Sequence, residues 1–181
     1  MTAAEFVAAP VPDRGRPWNL VAGEVVVNEP SYDHSWAQDT IHFALQLWTR
    51  AEPGRGVAGS AIDIGLDDQN VFAPDVRWYR EGRAPGRQDQ PPYPMPDLVV
   101  EVRSPSTWRY DIGTKRDGYE LHGLPELWLV DTVACTVIVY RRSSADVRRF
   151  DITDELTDTD VLVSLSLPGF ALPVNDVFAA P

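Results

Sequence analysis

The chain of 181 residues has one cysteine, Cys135. A lone thiol forms neither an internal disulfide nor a thiolate metal cage, and a chain of this length buries enough surface to fold without either. A reducing cytoplasm is the expected setting. Lysine is almost missing as well: Lys115 is the single one among 16 basic residues. No apolar run approaches the roughly 20 residues that span a bilayer, and Met1 to Pro12 carries Glu5 but no basic residue, unlike the front of a secretory signal. Membrane-embedded and exported classes are therefore not expected. Positive charge is in short supply overall, with a formal net charge of −11, which argues against a surface that grips nucleic acid over its whole extent. The 44% hydrophobic and 24% charged residues exclude collagen, coiled-coil and low-complexity classes. One domain over 1–181 is expected, with 1–17 an extended or poorly ordered arm.

The distribution of charge is more informative than its sum. From Arg77 to Arg116 the eight cations outnumber the five acids, so the window is locally +3 and the rest of the chain sums to −14. An anionic partner would be directed to this part of the molecule, unless the window is only a solvated, arginine-rich loop.

Leu20 to Val27 reads as a strand or hairpin. Asp33 or Ser35 can cap a helix whose apolar positions Ala37, Ile41, Ala44, Leu45 and Trp48 recur at helical spacing and which closes near Pro53-Gly54. Two β-like segments follow, Val57 to Leu66 and Val71 to Tyr79, the second interrupted by Pro74-Asp75, with Asp67 to Asn70 as the turn between them. Arg80 to Pro96, with five prolines, two glycines and three arginines, is a long excursion. Asp97 to Val102 has the continuous apolar core of a buried strand. A second helix from about Trp108 to His122 stops at Gly123. Leu127 to Val130, Thr136 to Tyr140 and Val147 to Ile152 are further strands, and a short last helix begins at Asn175. The order helix, strand, strand, strand, helix, strand implies an α/β fold on a mixed sheet.

Against this frame Asp75 follows a proline, Glu101 ends an apolar strand, and Lys115 alone keeps the compact ammonium that arginine does not replace. Should the strands of Asp75 and Glu101 be neighbours, two bare carboxylates about 4 Å apart would repel by about 4 kcal/mol at an effective dielectric near 20. Such a pair needs a proton, a cation or a lysine. Mg²⁺ suits oxygen ligands and keeps several waters, which can supply a nucleophile for phosphodiester hydrolysis. Asp111, Lys115 and Tyr119 are spaced by four and share a helical face. Asp111 can equally serve the helix dipole, and Tyr119 can equally be a core aromatic.

Pro74-Asp75 followed by Glu101-Val102-Arg103 resembles the PD-(D/E)xK nuclease signature with its final lysine missing. More specifically, the chain resembles the Uma-two family of restriction endonucleases, once a domain of unknown function. The series Pro96-Asp97-Leu98-Val99-Val100-Glu101-Val102, Ser104-Pro105-Ser106-Thr107, then Asp111, Lys115 and Tyr119 carries the resemblance, together with Glu24, His34 and Leu124-Pro125-Glu126-Leu127-Trp128.

The resemblance implies a restriction-endonuclease-like αβββαβ core with extra N-terminal and C-terminal strands. It also implies a metal-dependent endonuclease acting on DNA with Mg²⁺ or Mn²⁺. Asp75 and Glu101 would be metal ligands and Lys115 the catalytic lysine, moved from strand to helix. Glu24, His34, Asp111 and Tyr119 would support them. Arg80, Arg83 and Arg87 are candidate phosphate contacts, and a homodimer is expected, with Trp18, Trp36 and Trp78 as interface aromatics. The competing reading is a non-catalytic module that binds nucleic acid or protein on the same scaffold. A two-carboxylate glycosidase would leave Lys115 without a role.

Overall fold

A computed structural model describes residues 1–10 and 18–179. The chain starts in a short helix, α1 (Ala3–Ala8), held by a reciprocal cap: Thr2 Oγ1 accepts from the Glu5 N–H, and the Glu5 carboxylate accepts from the Thr2 N–H at 2.7 Å. Phe6 is buried beside Leu20 and Val71. The arm expected over 1–17 is therefore helical and packed over Ala3–Ala8, because a cap and an apolar anchor outweigh the lack of a long periodic pattern. Residues 11–17 of that arm lie outside the described residues.

Strands β1 (Trp18–Val21) and β2 (Glu24–Val27) form a hairpin. Its two-residue turn needs two positive φ angles, and Ala22 (50°) and Gly23 (79°) adopt them, with the Ala22 N–H donating to Asn70 Oδ1. Helix α2 (Tyr32–Ala51) is capped by Ser31, whose side chain accepts from the His34 N–H, so the cap lies upstream of the expected Asp33 or Ser35. Its buried stripe is Ala37, Ile41, Leu45 and Trp48.

The two long β segments each break in the middle, into β3 (Val57–Ser60) and β4 (Ile64–Asp67), then β5 (Asn70–Phe72) and β6 (Val76–Tyr79). The breaks match because both arms cross from one sheet to another. β4 and β5 complete a four-stranded sheet in the order β2-β1-β5-β4, whereas β3 and β6 pair in a six-stranded one. That sheet continues with β7 (Leu98–Val102). The chain then passes through α3 (Trp108–Tyr110), a π-helical turn (Asp111–Lys115) and α4 (Arg116–Leu121) before β8 (Glu126–Asp131), β9 (Thr136–Arg141) and β10 (Ile152–Leu156). The last strand starts at Ile152, beyond the expected Val147, because Ser143 is tied to Asp151 and Arg142 to the Val147 carbonyl, which closes a loop over that stretch. A small pair, β11 (Val161–Leu162) and β12 (Leu172–Pro173), and α5 (Val174–Phe178) finish the chain. Asn175 lies inside α5 rather than at its cap. Among the described residues no helix is long and apolar enough to cross a membrane.

The six-stranded sheet runs β10-β9-β8-β7-β6-β3. Only β7 and β8 pair in parallel, as a crossover through a helix requires. The succession α2, β3, β6, β7, the α3–α4 helix and β8 is the expected αβββαβ core of an α/β fold. All five residues of β7 are buried because the strand is covered on both faces. Leu98, Val100 and Val102 pack with the inner side of α2, while Val99 faces Tyr119 of α4. Strand alternation then places Glu101 on the Tyr119 side.

Behind the sheet, the buried Glu126 accepts from Trp128 Nε1 and from Ser164 Oγ, each at 2.7 Å. Burial raises its carboxyl above the ordinary 4.5, against the opposing pull of these two donors and Arg141. The folded state therefore binds the proton more tightly than the unfolded chain. This contribution is present below pH 4.5 and is lost as pH rises through the raised value. Glu126→Gln can keep both contacts by accepting from Trp128 and donating to Ser164. Thermal unfolding is expected to show equal stability near pH 4 and a more stable variant near about pH 8. A variant destabilised at both values would show that the carboxylate form is the one the fold requires.

Candidate active site

Two acids meet at the end of the sheet where β6 begins and β7 ends. Continuing the Val76–Val100 pairing by one step sets Asp75 opposite Glu101. Asp75 is buried, and its Oδ2 accepts the Val102 N–H at 2.8 Å and lies 3.2 Å from His34 Nε2. Its Oδ1 accepts from Asn28 Nδ2 at 3.4 Å, and Gln38 Nε2 donates to its backbone carbonyl. Three parts of the chain thus fix one acid at the entry to β6: the exit of β2, the first turns of α2 and the end of β7.

Glu101 is held from the helix side. Its Oε1 accepts from the Tyr119 hydroxyl at 2.7 Å and lies 2.6 Å from Lys115 Nζ. The ammonium is also 3.0 Å from Asp111 Oδ1. Asp111 Oδ2 accepts from Thr107 Oγ1, which is bonded in turn to Ser104 Oγ, both at 2.8 Å. Every member of this chain of contacts is buried.

The helix geometry explains how residues 111 and 115 both turn inward. In a regular α-helix, with 3.6 residues per turn, positions four apart drift around the axis. The wider π turn at Asp111–Lys115 turns that drift the other way, so that Asp111 and Tyr119 keep one face, and leaves Ile112 and Thr114 outside. Helix α4 also approaches the sheet closely: a Cβ on Gly118 would lie 3.0 Å from the Phe72 ring. Phe72 meets Tyr119 edge-on, with 5.2 Å between centroids, and its ring lies 5.8 Å from Lys115 Nζ.

The electrostatics are unbalanced. Burial pushes Glu101 up to about 8; Lys115 opposes this, whereas Asp111 and Asp75 add to it. Burial likewise raises Asp111, against the pull of Lys115 and Thr107. For Lys115, burial favours the neutral amine, but Asp111 and Glu101 outweigh it and hold the group above its ordinary value. Burial and then Glu101 raise the Tyr119 phenol. One ammonium faces three carboxyl groups, a cluster short of positive charge.

Asp75, Glu101, Lys115, His34, Asp111 and Tyr119 are thus brought together. Glu24 is not: it is exposed beside the β1–β2 turn, opposite Val21, and the far end of its strand supplies Asn28 instead. Arg103, in the lysine position of the signature, turns away to Asp131 at 2.8 Å and lies over Trp108. Arg80, Arg83 and Arg87 follow the other end of β6, about 16 Å along the strand from Asp75 at 3.3 Å per residue. Arg83 is bound to the buried Asp97. Among the described residues the guanidinium groups of Arg80 and Arg87 carry no ion pair. Asn28, Gln38 and Thr107 went unrecognised as site residues. Only Thr107 carried a usable local signal, lying in a Ser-Pro-Ser-Thr stretch ahead of a helix.

This fold, with an acid pair and an ammonium at one end of a mixed sheet, defines the restriction-endonuclease-like class. The model of the Uma2 family, described as "Putative restriction endonuclease", matches residues 3–175, and the chain belongs to that family. A solved structure of a "putative nuclease belonging to DUF820" from Anabaena variabilis ATCC 29413 superimposes with a TM-score of 0.79. It is 19% identical, and the match covers 98% of this chain and 97% of the other. No curated protein matches.

Removing one partner of a buried ion pair leaves the other charge uncompensated. Lys115→Met is therefore expected to cost about 3–5 kcal/mol in urea unfolding. Adding Glu101→Gln in the same chain should recover much of the loss, since a neutral amide still accepts from Tyr119. An unaltered midpoint for Lys115→Met would mean that the ammonium is not bound in solution.

Proposed function

We propose that the protein is a metal-dependent endonuclease that hydrolyses phosphodiester bonds of DNA, built as one restriction-endonuclease-like domain. The observation that carries this reading is the Lys115 ammonium 2.6 Å from Glu101, beside the carboxylate of Asp75. The donor set fits a hard divalent cation: Asp75 and Glu101 offer oxygen only, and their surroundings hold excess negative charge. Among the described residues no group of three or more His, Cys, Asp or Glu forms a ready metal cage. Mg²⁺ or Mn²⁺ would be held by the two carboxylates alone, with water and substrate phosphate filling the remaining positions. When bound, such a cation supplies Lewis acidity and lowers the pKa of water.

The chain's own residues supply the rest. Asp75 is pre-positioned by the Val102 N–H, His34 and Asn28, so it binds without reorganising. Tyr119 fixes the rotamer of Glu101. Lys115 presents a fixed cation to a phosphate oxygen on which charge accumulates, and Asp111, itself held by Thr107, keeps that ammonium in place when Glu101 engages its ligand. Asp111 and Tyr119 are supporting residues in this scheme. His34 and Asn28 act through Asp75.

Nicking of supercoiled plasmid with Mg²⁺ or Mn²⁺ tests the reading. Asp75→Ala, Glu101→Ala and Lys115→Ala are each expected to reduce the rate by about 100-fold or more while the far-ultraviolet spectrum is kept. Lys115→Arg should not restore it. Wild-type activity in any of these variants removes the assignment. DNA binding that survives Glu101→Ala, with no cleavage by the wild type at any metal concentration, identifies the non-catalytic module instead.

Arg80 and Arg87 remain the candidate phosphate contacts outside the cluster. Neutralising both as Arg80→Gln and Arg87→Gln is expected to lower the slope of log affinity against log salt by about 2. An unchanged slope removes the loop from the interface.

A further inference from the structure

The outward face of α2 interrupts its polar covering with two large apolar side chains. The inward stripe is complete with Ala37, Ile41, Leu45 and Trp48, and the opposite side of such a helix is normally charged or polar. Here Phe43 is 64% exposed and Leu47, one turn on, 56%. With Asp39, His42, Gln46 and Arg50 they line an open groove of about 380 Å³. Gln46 Nε2 donates to the Ala58 carbonyl at 2.8 Å, which lays β3 alongside. That strand is an edge of the six-stranded sheet. Isolated exposed side chains need no explanation, but a contiguous group of them marks an interaction surface.

The charges at its ends say what fits it. Asp39 and Arg50 are both exposed, and among the described residues neither has an ion-pair partner. Eleven residues separate them, about 16 Å along the axis, too far to pair within one chain. An antiparallel second copy, related by a two-fold axis near Ala44 and Leu45, would set each Asp39 against Arg50 of the other copy. Phe43 would meet Leu47 between them. A two-fold interface must be self-complementary, and an apolar centre with one acid and one base at opposite ends meets that condition. The patch is also locally neutral, so it offers a place where a chain of net charge −11 can approach itself.

We propose that the outward face of α2 is a self-association surface on which two copies pair antiparallel. The homodimer expected from the sequence thus gains a location. It does not use Trp78, which is buried in the core.

Sedimentation equilibrium of the full chain over a concentration series tests this. A concentration-dependent dimer is expected, and Phe43→Glu should leave a monomer. Asp39→Arg and Arg50→Asp should each weaken association by about tenfold, because either change turns both symmetric ion pairs into like-charge contacts. The two changes in one chain should restore association, which a merely altered surface would not do. All these positions are exposed, so the fold is not at stake, and thermal melts can confirm that. A wild type that stays monomeric to about 100 µM, a dimer indifferent to Phe43→Glu, or a double swap that fails to restore pairing each overturns the proposal.

Discussion

Burying an ammonium among carboxylates carries a desolvation penalty of several kcal/mol per ion, and the penalty is offset only when geometry and hydrogen bonding are both good. Lys115, 2.6 Å from Glu101 and 3.0 Å from Asp111, meets that condition because its surroundings leave it little choice. Phe72 lies beside its head, Tyr119 donates to the same Glu101 oxygen, Thr107 holds the other oxygen of Asp111, and Gly118 lets the helix come close enough for the reach. Each of these residues is placed by the need to make one charged contact tolerable in a buried setting.

The same contact explains why β7 has to be covered on both sides. A strand facing solvent on one face would let water screen Glu101, and the ion pair would weaken toward the value of a surface pair. With α2 behind and the α3–α4 helix in front, the strand joins two roles. Leu98, Val100 and Val102 anchor it in the core, and Glu101 turns toward Lys115 and Tyr119. Asp75 is caught at the seam, where the exit of β2 and the first turns of α2 reach it together.

The αβββαβ order was legible because the apolar periods of α2 and β7 are strong and Gly123 marks a clear stop. Asp75, Glu101 and Lys115 were legible as well: a carboxylate after proline, an acid in an apolar strand and a solitary lysine are local signals. What escaped depends on distant meetings. Asn28 matters only because β2 ends beside a residue 47 positions later. Arg103 and Arg83 carry the composition of a ligand-binding surface, yet Asp131 and Asp97 claim them. The shared crossing of β3–β4 and β5–β6 between sheets has no signature beyond one proline. The π turn has none at all, since the sequence Asp-Ile-Gly-Thr-Lys would serve a regular helix equally well.

That turn has an evolutionary implication. It holds one residue more than an unbroken α-helix would need between Thr107 and Tyr119, and Gly113 within it touches nothing that a side chain would displace. Losing a single codon there would restore an unbroken α-helix in which Asp111 and Tyr119, seven residues apart, still share a face, while the strands on either side kept their pairing. The turn is therefore a single inserted residue that the helix can shed while both of its ends keep their facing.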